Sequence, residues 1–219
     1  MSINIHTVIR KAVKLFYFKE ERIFLRKFPK KTNGERSNII PYIVNNDDRA
    51  FRKLLEACPK KARILRKRLN NNCMGILTMS YSDEIVSYCW FAEDNYHEPK
   101  INYTFKLEKG QVYGFDGFVT PKYRYRKSSL KSPLLMMDII LNKGYSEVIE
   151  VVKTSNTAGL KWNLYLGFQE INQKLVTHYV FGRPLTFLRS YEGSDVNLVE
   201  SKGRLKSCLK DNRGAATSA

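Results

Sequence analysis

The chain has 219 residues, 43% of them apolar and 12% aromatic, which suits one domain with a sizeable core and excludes a disordered chain. Lys and Arg outnumber Asp and Glu by 38 to 21, and the resulting +17 attracts polyanions: nucleic acid, anionic membrane, phosphorylated cofactors or acidic carrier proteins. No run approaches the roughly 18 apolar residues of a membrane span and no leader pattern is visible, so a cytoplasmic protein is expected.

Residues 1–37 carry ten Lys/Arg and three Glu and read as a basic arm. Ile9, Ala12, Val13, Phe16 and Tyr17 recur there at helical spacing among Arg10, Lys11 and Lys14, with Ile23, Phe24, Leu25 and Phe28 following. Such a stripe either packs on the domain behind it or lies peripherally in an anionic lipid interface. Residues 29–37 read as a linker, and a single domain is expected over 38–189. Its first strand is expected over 39–44, followed by a helix holding Phe51, Leu54 and Leu55 and capped by Asn46 or Asp47. A second, basic helix over 60–69 sets Ile64, Leu65 and Leu69 among Lys60, Lys61, Arg63, Arg66, Lys67 and Arg68. Its charged face is either solvated or a docking surface.

Four runs rich in β-branched and aromatic residues, 74–79, 85–91, 101–107 and 111–119, predict an antiparallel meander. Ser132 and Pro133 predict a helix start, N-cap and N1, for a helix reaching 142. That helix leads to a buried strand over 148–152, the βα crossover a mixed sheet requires. A strand over 174–181 closes the sheet, and 190–219 form an extension whose last stretch of about fifteen residues is expected to be disordered.

Cys58, Cys73, Cys89 and Cys208 form no CxxC pair, and His6, His97 and His178 have no metal-ligand spacing, so no metal is expected. No Gly-x-Ser-x-Gly or Walker loop occurs, which leaves hydrolase triads and nucleotide triphosphatases unsupported. No RNP, KH or zinc-finger signature supports nucleic acid as a partner.

Residues 119–168 carry the chemistry. Val119, Pro121 and Arg124 close a strand; Tyr125-Arg126-Lys127-Ser128-Ser129 form a basic loop; a helix and a strand follow, then Asn156 through Gly167-Phe168. This order resembles the GNAT superfamily of N-acyltransferases, in which V-x-P-x-x-R leads through a Gly-rich loop into a helix and N-x-x-A-x-x-x-Y-x-x-x-G-F follows the next strand. The resemblance covers about residues 38–182. It implies one α/β (α+β) domain with a mixed, mostly antiparallel central sheet, splayed in a V and flanked by helices.

It also implies acetyl- or acyl-coenzyme A as donor. Phe118 and Val119 would pair with the pantetheine arm; Arg124, Arg126, Lys127, Ser128 and Ser129 would meet the pyrophosphate at a helix start; Asn156 would lie beside the thiol end. Tyr125, Lys127 and Ser129 replace the family's glycines, so side-chain cations would stand in for part of the backbone cradle. The family's alanine is Gly159 and its tyrosine is Asn163, which can donate a hydrogen bond to sulfur while water protonates the thiolate.

An amine acceptor must lose a proton, and Asp116 is the first choice of base, with Glu150 and Glu93 in reserve. The Val119 N–H can polarise the thioester carbonyl. Three functions follow from these residues. The first is acyl transfer, acetyl above all, from coenzyme A to a primary amine of a small molecule or amino sugar, as in similar GNAT proteins of polysaccharide biosynthesis. The second is long-chain N-acylation with acyl carrier protein as donor. The third is a non-catalytic GNAT-fold module holding an anionic partner.

Overall fold

The computed structural model describes residues 17–31, 38–45, 48–71, 73–124 and 126–192. In chain order its elements are β1 (Tyr17–Lys27), β2 (Ile39–Val44), α1 (Arg49–Ala57), α2 (Ala62–Asn70), β3 (Cys73–Ser80), β4 (Ile85–Ala92), β5 (Tyr96–Glu98), β6 (Tyr103–Phe105), β7 (Gln111–Val119), α3 (Lys127–Asn142), β8 (Glu147–Lys153), α4 (Thr157–Tyr165), β9 (Gln169–Val180) and β10 (Arg183–Ser190). Among the described residues no helix is long and apolar enough to cross a membrane.

The chain divides into two compact units. The larger, residues 27–97 and 104–150, is built on a mixed sheet. β2, β3, β4 and β7 pair antiparallel in that order, and β8 joins β7 in parallel from Gln111↔Glu147 to Gly114↔Glu150. β3 and β4 read as nearly continuous apolar runs because both faces are covered, and Ile76, Leu77, Val86, Trp90 and Phe91 are fully buried. Leu54 of α1, Leu65 of α2 and Ile140 of α3 supply the helical side of this core.

The other unit holds 17–26, 98–103 and the described residues from 151 on. β9 pairs antiparallel with β1 on one side and β10 on the other, and Ile23, Leu25, Leu175 and Val176 are buried.

Most expected elements form, with five differences. From Tyr17 the arm is strand: Ile23, Phe24 and Leu25 are all buried in β1, so the apolar residues after Tyr17 serve a sheet. The stripe Ile9 to Phe16 lies outside the described residues, as do 32–37 and 193–219. The run 101–107 yields only β6. The turn bonds Ile101 N–H to Glu98 O and Asn102 N–H to Pro99 O, with Asn102 at φ 49°, break it, and β4 pairs directly with β7. α3 starts at Lys127, not at Ser132, and Pro133 lies inside it. Proline there removes one ladder bond, while buried Ser132 donates or accepts across to Thr78 at 2.7 Å and also meets Ser87. Finally, α1 is capped by Asp48, whose side chain accepts from the Phe51 N–H at 2.6 Å; Asn46 and Asp47 lie outside the described residues. β10, where the pattern in the sequence weakens, is an additional strand.

Candidate active site

The site in the larger unit begins with an irregularity in β7. The β4–β7 register shifts between Tyr88↔Phe118 and Trp90↔Phe115, so Asp116 and Gly117 together oppose Cys89. This is a β-bulge, with Asp116 at φ 50°. Aspartate tolerates the left-handed region better than most residues, and a bulge re-aims the side chains around it. Here Phe118 stacks on Tyr88 with centroids 5.4 Å apart, and the Arg68 guanidinium lies over Phe115 at 5.1 Å and Trp90 at 5.6 Å.

The bulge also presents the Asp116 carboxylate to two cations. Oδ1 accepts from Lys61 Nζ at 2.8 Å and Oδ2 from Arg68 Nη1 at 2.5 Å; Lys61 also donates to Tyr88 Oη at 3.0 Å. Burial works against the Lys61 ammonium, yet its bonds to Asp116 and Tyr88 outweigh burial and hold the amine above its ordinary value. Burial likewise raises the Tyr88 hydroxyl. Asp116 therefore holds a clamp from α2 and the turn before it, and both its oxygens are already engaged.

Glu150 sits opposite Gly114 in the parallel ladder, and a Cβ at Gly114 would stand 2.9 Å from its Oε1, so the glycine makes room for the carboxylate. Burial lowers Lys27 and Glu150 partly restores it. Burial also pushes the Cys89 thiol well up, with Glu150 and Asp116 adding to the shift. The two proposed carboxylates thus bear on one thiol, which stays protonated and is no nucleophile. Glu93, the other reserve base, accepts from Tyr145 Oη at 2.9 Å.

Beyond Gly114 the parallel ladder ends, while β7 continues to Val119. Thr120 N–H donates to Val86 O at 2.9 Å, toward β4. Successive residues of a strand present their N–H groups to opposite edges, so Val119 N–H faces away from β4, on the side where the ladder has ended. Arg124 folds back over this strand end, its Nε donating to Val119 O at 3.2 Å and its guanidinium 5.9 Å from the Phe118 ring.

The loop that follows is pinned by Glu84, which accepts from Lys122 Nζ at 2.7 Å and from the Tyr123 hydroxyl. Lys122, then Tyr123, hold Glu84 below its ordinary value. Tyr125 lies outside the described residues. Arg126 is the N-cap of α3, extended at φ −91° and ψ 156°, without a side-chain cap. Its carbonyl accepts from Ser129 N–H at 3.1 Å and from Ser129 Oγ at 2.8 Å. Ser129 is buried and its hydroxyl is thereby used within the helix start. Arg126 and Lys127 are exposed, and the N–H groups of Lys127 and Ser128 are the first of the helix, which have no intrahelical acceptor. No acidic residue stands in this first turn.

In the other unit Asn156 caps α4, its Oδ1 accepting from Gly159 N–H at 3.0 Å. A Cβ on Gly159 would meet Asn156 Nδ2 at 2.4 Å, a physical reason for glycine where the family has alanine. Asn163 lends its carbonyl to Phe168 N–H at 3.0 Å, and Gly167 N–H donates to Leu164 O at 3.0 Å. With Gly167 at φ 88° this is a Schellman ending, so Gly167-Phe168 stops the helix. The structure thus brings Asp116, Glu150, Phe118, Val119, Arg124, Arg126, Lys127, Ser128 and Ser129 into one unit and puts Asn156 and Asn163 in the other.

A mostly antiparallel sheet, whose strand ending in Val-x-Pro runs parallel to the next, outlasts the ladder between them and turns through a basic loop into a helix, is what the sequence resemblance implies. The architecture is GNAT-like. No family model matches the sequence, and no curated protein matches it. Among solved structures, the chain is similar to a functionally unknown conserved protein from Staphylococcus epidermidis, with TM-score 0.54 and 10% identity over 81% of this chain and 67% of that one. It is also similar to a GCN5-related N-acetyltransferase from Sphaerobacter thermophilus, TM-score 0.48 and 11% identity over 80% and 56%. A tandem GNAT protein from the clavulanic acid biosynthesis pathway gives TM-score 0.46 and 9% identity over 89% and 61%. At these identities the likeness is one of fold, and the chain spans between 56% and 67% of these longer chains.

Sequence reasoning missed Lys61, Arg68, Tyr88 and Glu84 in this GNAT-like unit. One local signal was present: Asp116-Gly117 inside an apolar strand run marks a bulge. The partners it recruits come from 48 and 55 residues away and carry no local signal.

Proposed function

We propose that the chain is a GNAT-type N-acyltransferase that moves an acyl group, acetyl above all, from coenzyme A to a primary amine of a small molecule or amino sugar. The observation that carries this reading is the strand end of β7, with Val119 N–H turned to the edge the ladder has left, followed directly by the open, cationic start of α3. The Val119 strand edge fits a pantetheine arm, while the Phe118 N–H, by the same alternation, faces β4 and leaves Phe118 only its ring to offer. The N–H groups of Lys127 and Ser128, with the side chains of Arg126 and Lys127, fit a pyrophosphate. When bound, the thioester supplies an activated acyl group with a thiolate leaving group. Within the larger unit, Val119 N–H would polarise its carbonyl. Asp116 would have to release Lys61 or Arg68 to take a proton, so in this reading Glu150 removes the amine proton and Asp116 holds the bulge in shape.

The test combines thermal stabilisation by acetyl-coenzyme A, long-chain acyl-coenzyme A and free coenzyme A with thiol release in the presence of amines. At a hundredfold excess over the dissociation constant, binding adds about 2.7 kcal/mol. Glu150→Gln should lower turnover about a hundred- to ten-thousand-fold while leaving that stabilisation intact. Absence of both stabilisation and thiol release with every thioester would overturn the reading and leave a non-catalytic module. A second reading, acyl carrier protein as donor, is favoured by one observation: Ser129 is buried and bonded to Arg126 O, so its hydroxyl is one donor fewer for an adenylated pyrophosphate.

A further inference from the structure

The outer face of α2 takes no part in the clamp on Asp116. At about 100° per residue, Arg63, Arg66 and Lys67 fall within an arc of about 100°, while Leu65, Arg68 and Leu69 point to the opposite side. Arg63, Arg66 and Lys67 are exposed, Leu65 is buried and the helix contains no acidic residue. The three cations have no ion-pair partner among the described residues, and Lys60, also exposed, extends the row. Ile64 stands beside them, 47% exposed. Lys67 stands in the last turn, where the helix dipole favours a cation, but Arg63 and Arg66 carry like charges three and four residues from their neighbours, which works against the helix. On α1, by contrast, Arg49 and Lys53 share an ion pair with Asp83.

We propose that this face of α2 is a docking surface for an acidic protein that carries an acyl group on a phosphopantetheine arm. The claim deepens the carrier-protein reading above and rests on acyl transfer only for the nature of the cargo. Three features select this occupant. The row of exposed cations complements an acidic helix, with Ile64 available as an apolar contact at its margin. The exposed residues of α2 include no aromatic side chain on which nucleic-acid bases could stack, and one isoleucine offers little to a bilayer interface. The same helix, through Arg68, and the turn before it, through Lys61, hold the β7 bulge, so a carrier seated on the outer face lies one helix diameter, about 10 Å, from the strand assigned to pantetheine.

The test uses the full chain and a purified holo-acyl carrier protein as probe. Saturable binding is expected, weakened about tenfold by Arg63→Glu and further by the triple variant Arg63→Glu/Arg66→Glu/Lys67→Glu, and weakened by salt. Arg63→Glu also places a carboxylate in the first turn, four residues before Lys67, so its melting temperature should hold or rise, separating docking from folding. No saturable binding, or equal binding by the triple variant, would overturn the proposal, as would tighter binding of phosphatidylglycerol vesicles or duplex DNA through the same residues. Stabilisation by acetyl-coenzyme A, measured on the same variants, keeps the two claims apart. If it is present and carrier binding is absent, docking alone fails; if it is absent and carrier binding is charge-dependent, docking stands and the coenzyme A reading falls.

Discussion

The helices α3 and α4 begin in opposite ways. α4 is closed: Asn156 turns its own amide oxygen onto Gly159 N–H, and no anion is needed to complete the first turn. α3 is open: Arg126 occupies the N-cap with extended backbone, offers no side-chain acceptor to the first-turn N–H groups, and is followed by Lys127. A helix start exposes donors and a partial positive charge, which a side-chain oxygen or an external anion can satisfy. A cap residue chosen for stability excludes the anion, whereas a cationic one leaves the turn incomplete and invites it. By that criterion α3 is the start suited to a ligand and α4 is structural, although the family resemblance assigns cofactor contacts to both.

The sharpest way to break this contrast is to close α3. Arg126→Asp places a capping oxygen on a backbone already extended, and should raise stability by about 1 kcal/mol. The same change removes one charge-assisted contact and adds a negative charge, so coenzyme A affinity should fall tenfold or more. Calorimetric titration and thermal unfolding of the one variant read the two opposite signs; a fall in both would mean that Arg126 is structural.

The next effect belongs to α4. Asn156→Ala should lose about 1 kcal/mol with the cap. Gly159→Ala should be close to neutral in the natural chain, where the new methyl displaces Asn156, but should stabilise by about 0.5–1 kcal/mol in the Asn156→Ala background. A double-mutant cycle by denaturant unfolding checks it, and additive effects would show that cap and glycine are independent.

Ser129→Ala is a smaller change. It removes the hydroxyl that donates to Arg126 O and should destabilise by about 0.5–1 kcal/mol. If Ser129 contacted a pyrophosphate instead, the affinity for coenzyme A would drop and the stability would not.

The smallest effect is one of pH. Glu84 is held below its ordinary value of 4.5 by Lys122 and Tyr123, so its contribution is present above that value and lost as pH falls through the lowered one. Protection against hydrogen exchange in the loop ahead of α3, corrected for the intrinsic pH dependence of exchange, should therefore fall on acidification below about 4.5, while that at the start of α4, capped by a neutral amide, should not respond. Equal responses at the two starts would erase the distinction.

Much of this was legible along the chain, for a physical reason: periodicity, turn residues and caps act over a few residues. β2, β3, β4, β7 and β8 lie close to their expected places, and β9 covers its expected run but begins five residues earlier, at Gln169 rather than at 174. The start of α3 was misread because Ser132-Pro133 is a good local signal for a helix start; the buried contacts of Ser132 with Thr78 and Ser87 instead place it within the helix. The third strand of the meander failed similarly, since its β-rich composition was overruled by turns around Asn102.

The amino-acid sequence by itself determined the order of the elements, the charge of the loop before α3 and the ending of α4 at Gly167, because each depends on neighbours in the chain. Only the tertiary structure decided what Asp116 does. Its carboxylate is held by Lys61 and Arg68, 55 and 48 residues away. No local pattern encodes a meeting across that separation, which exists only once α2 and β7 have been brought together by folding.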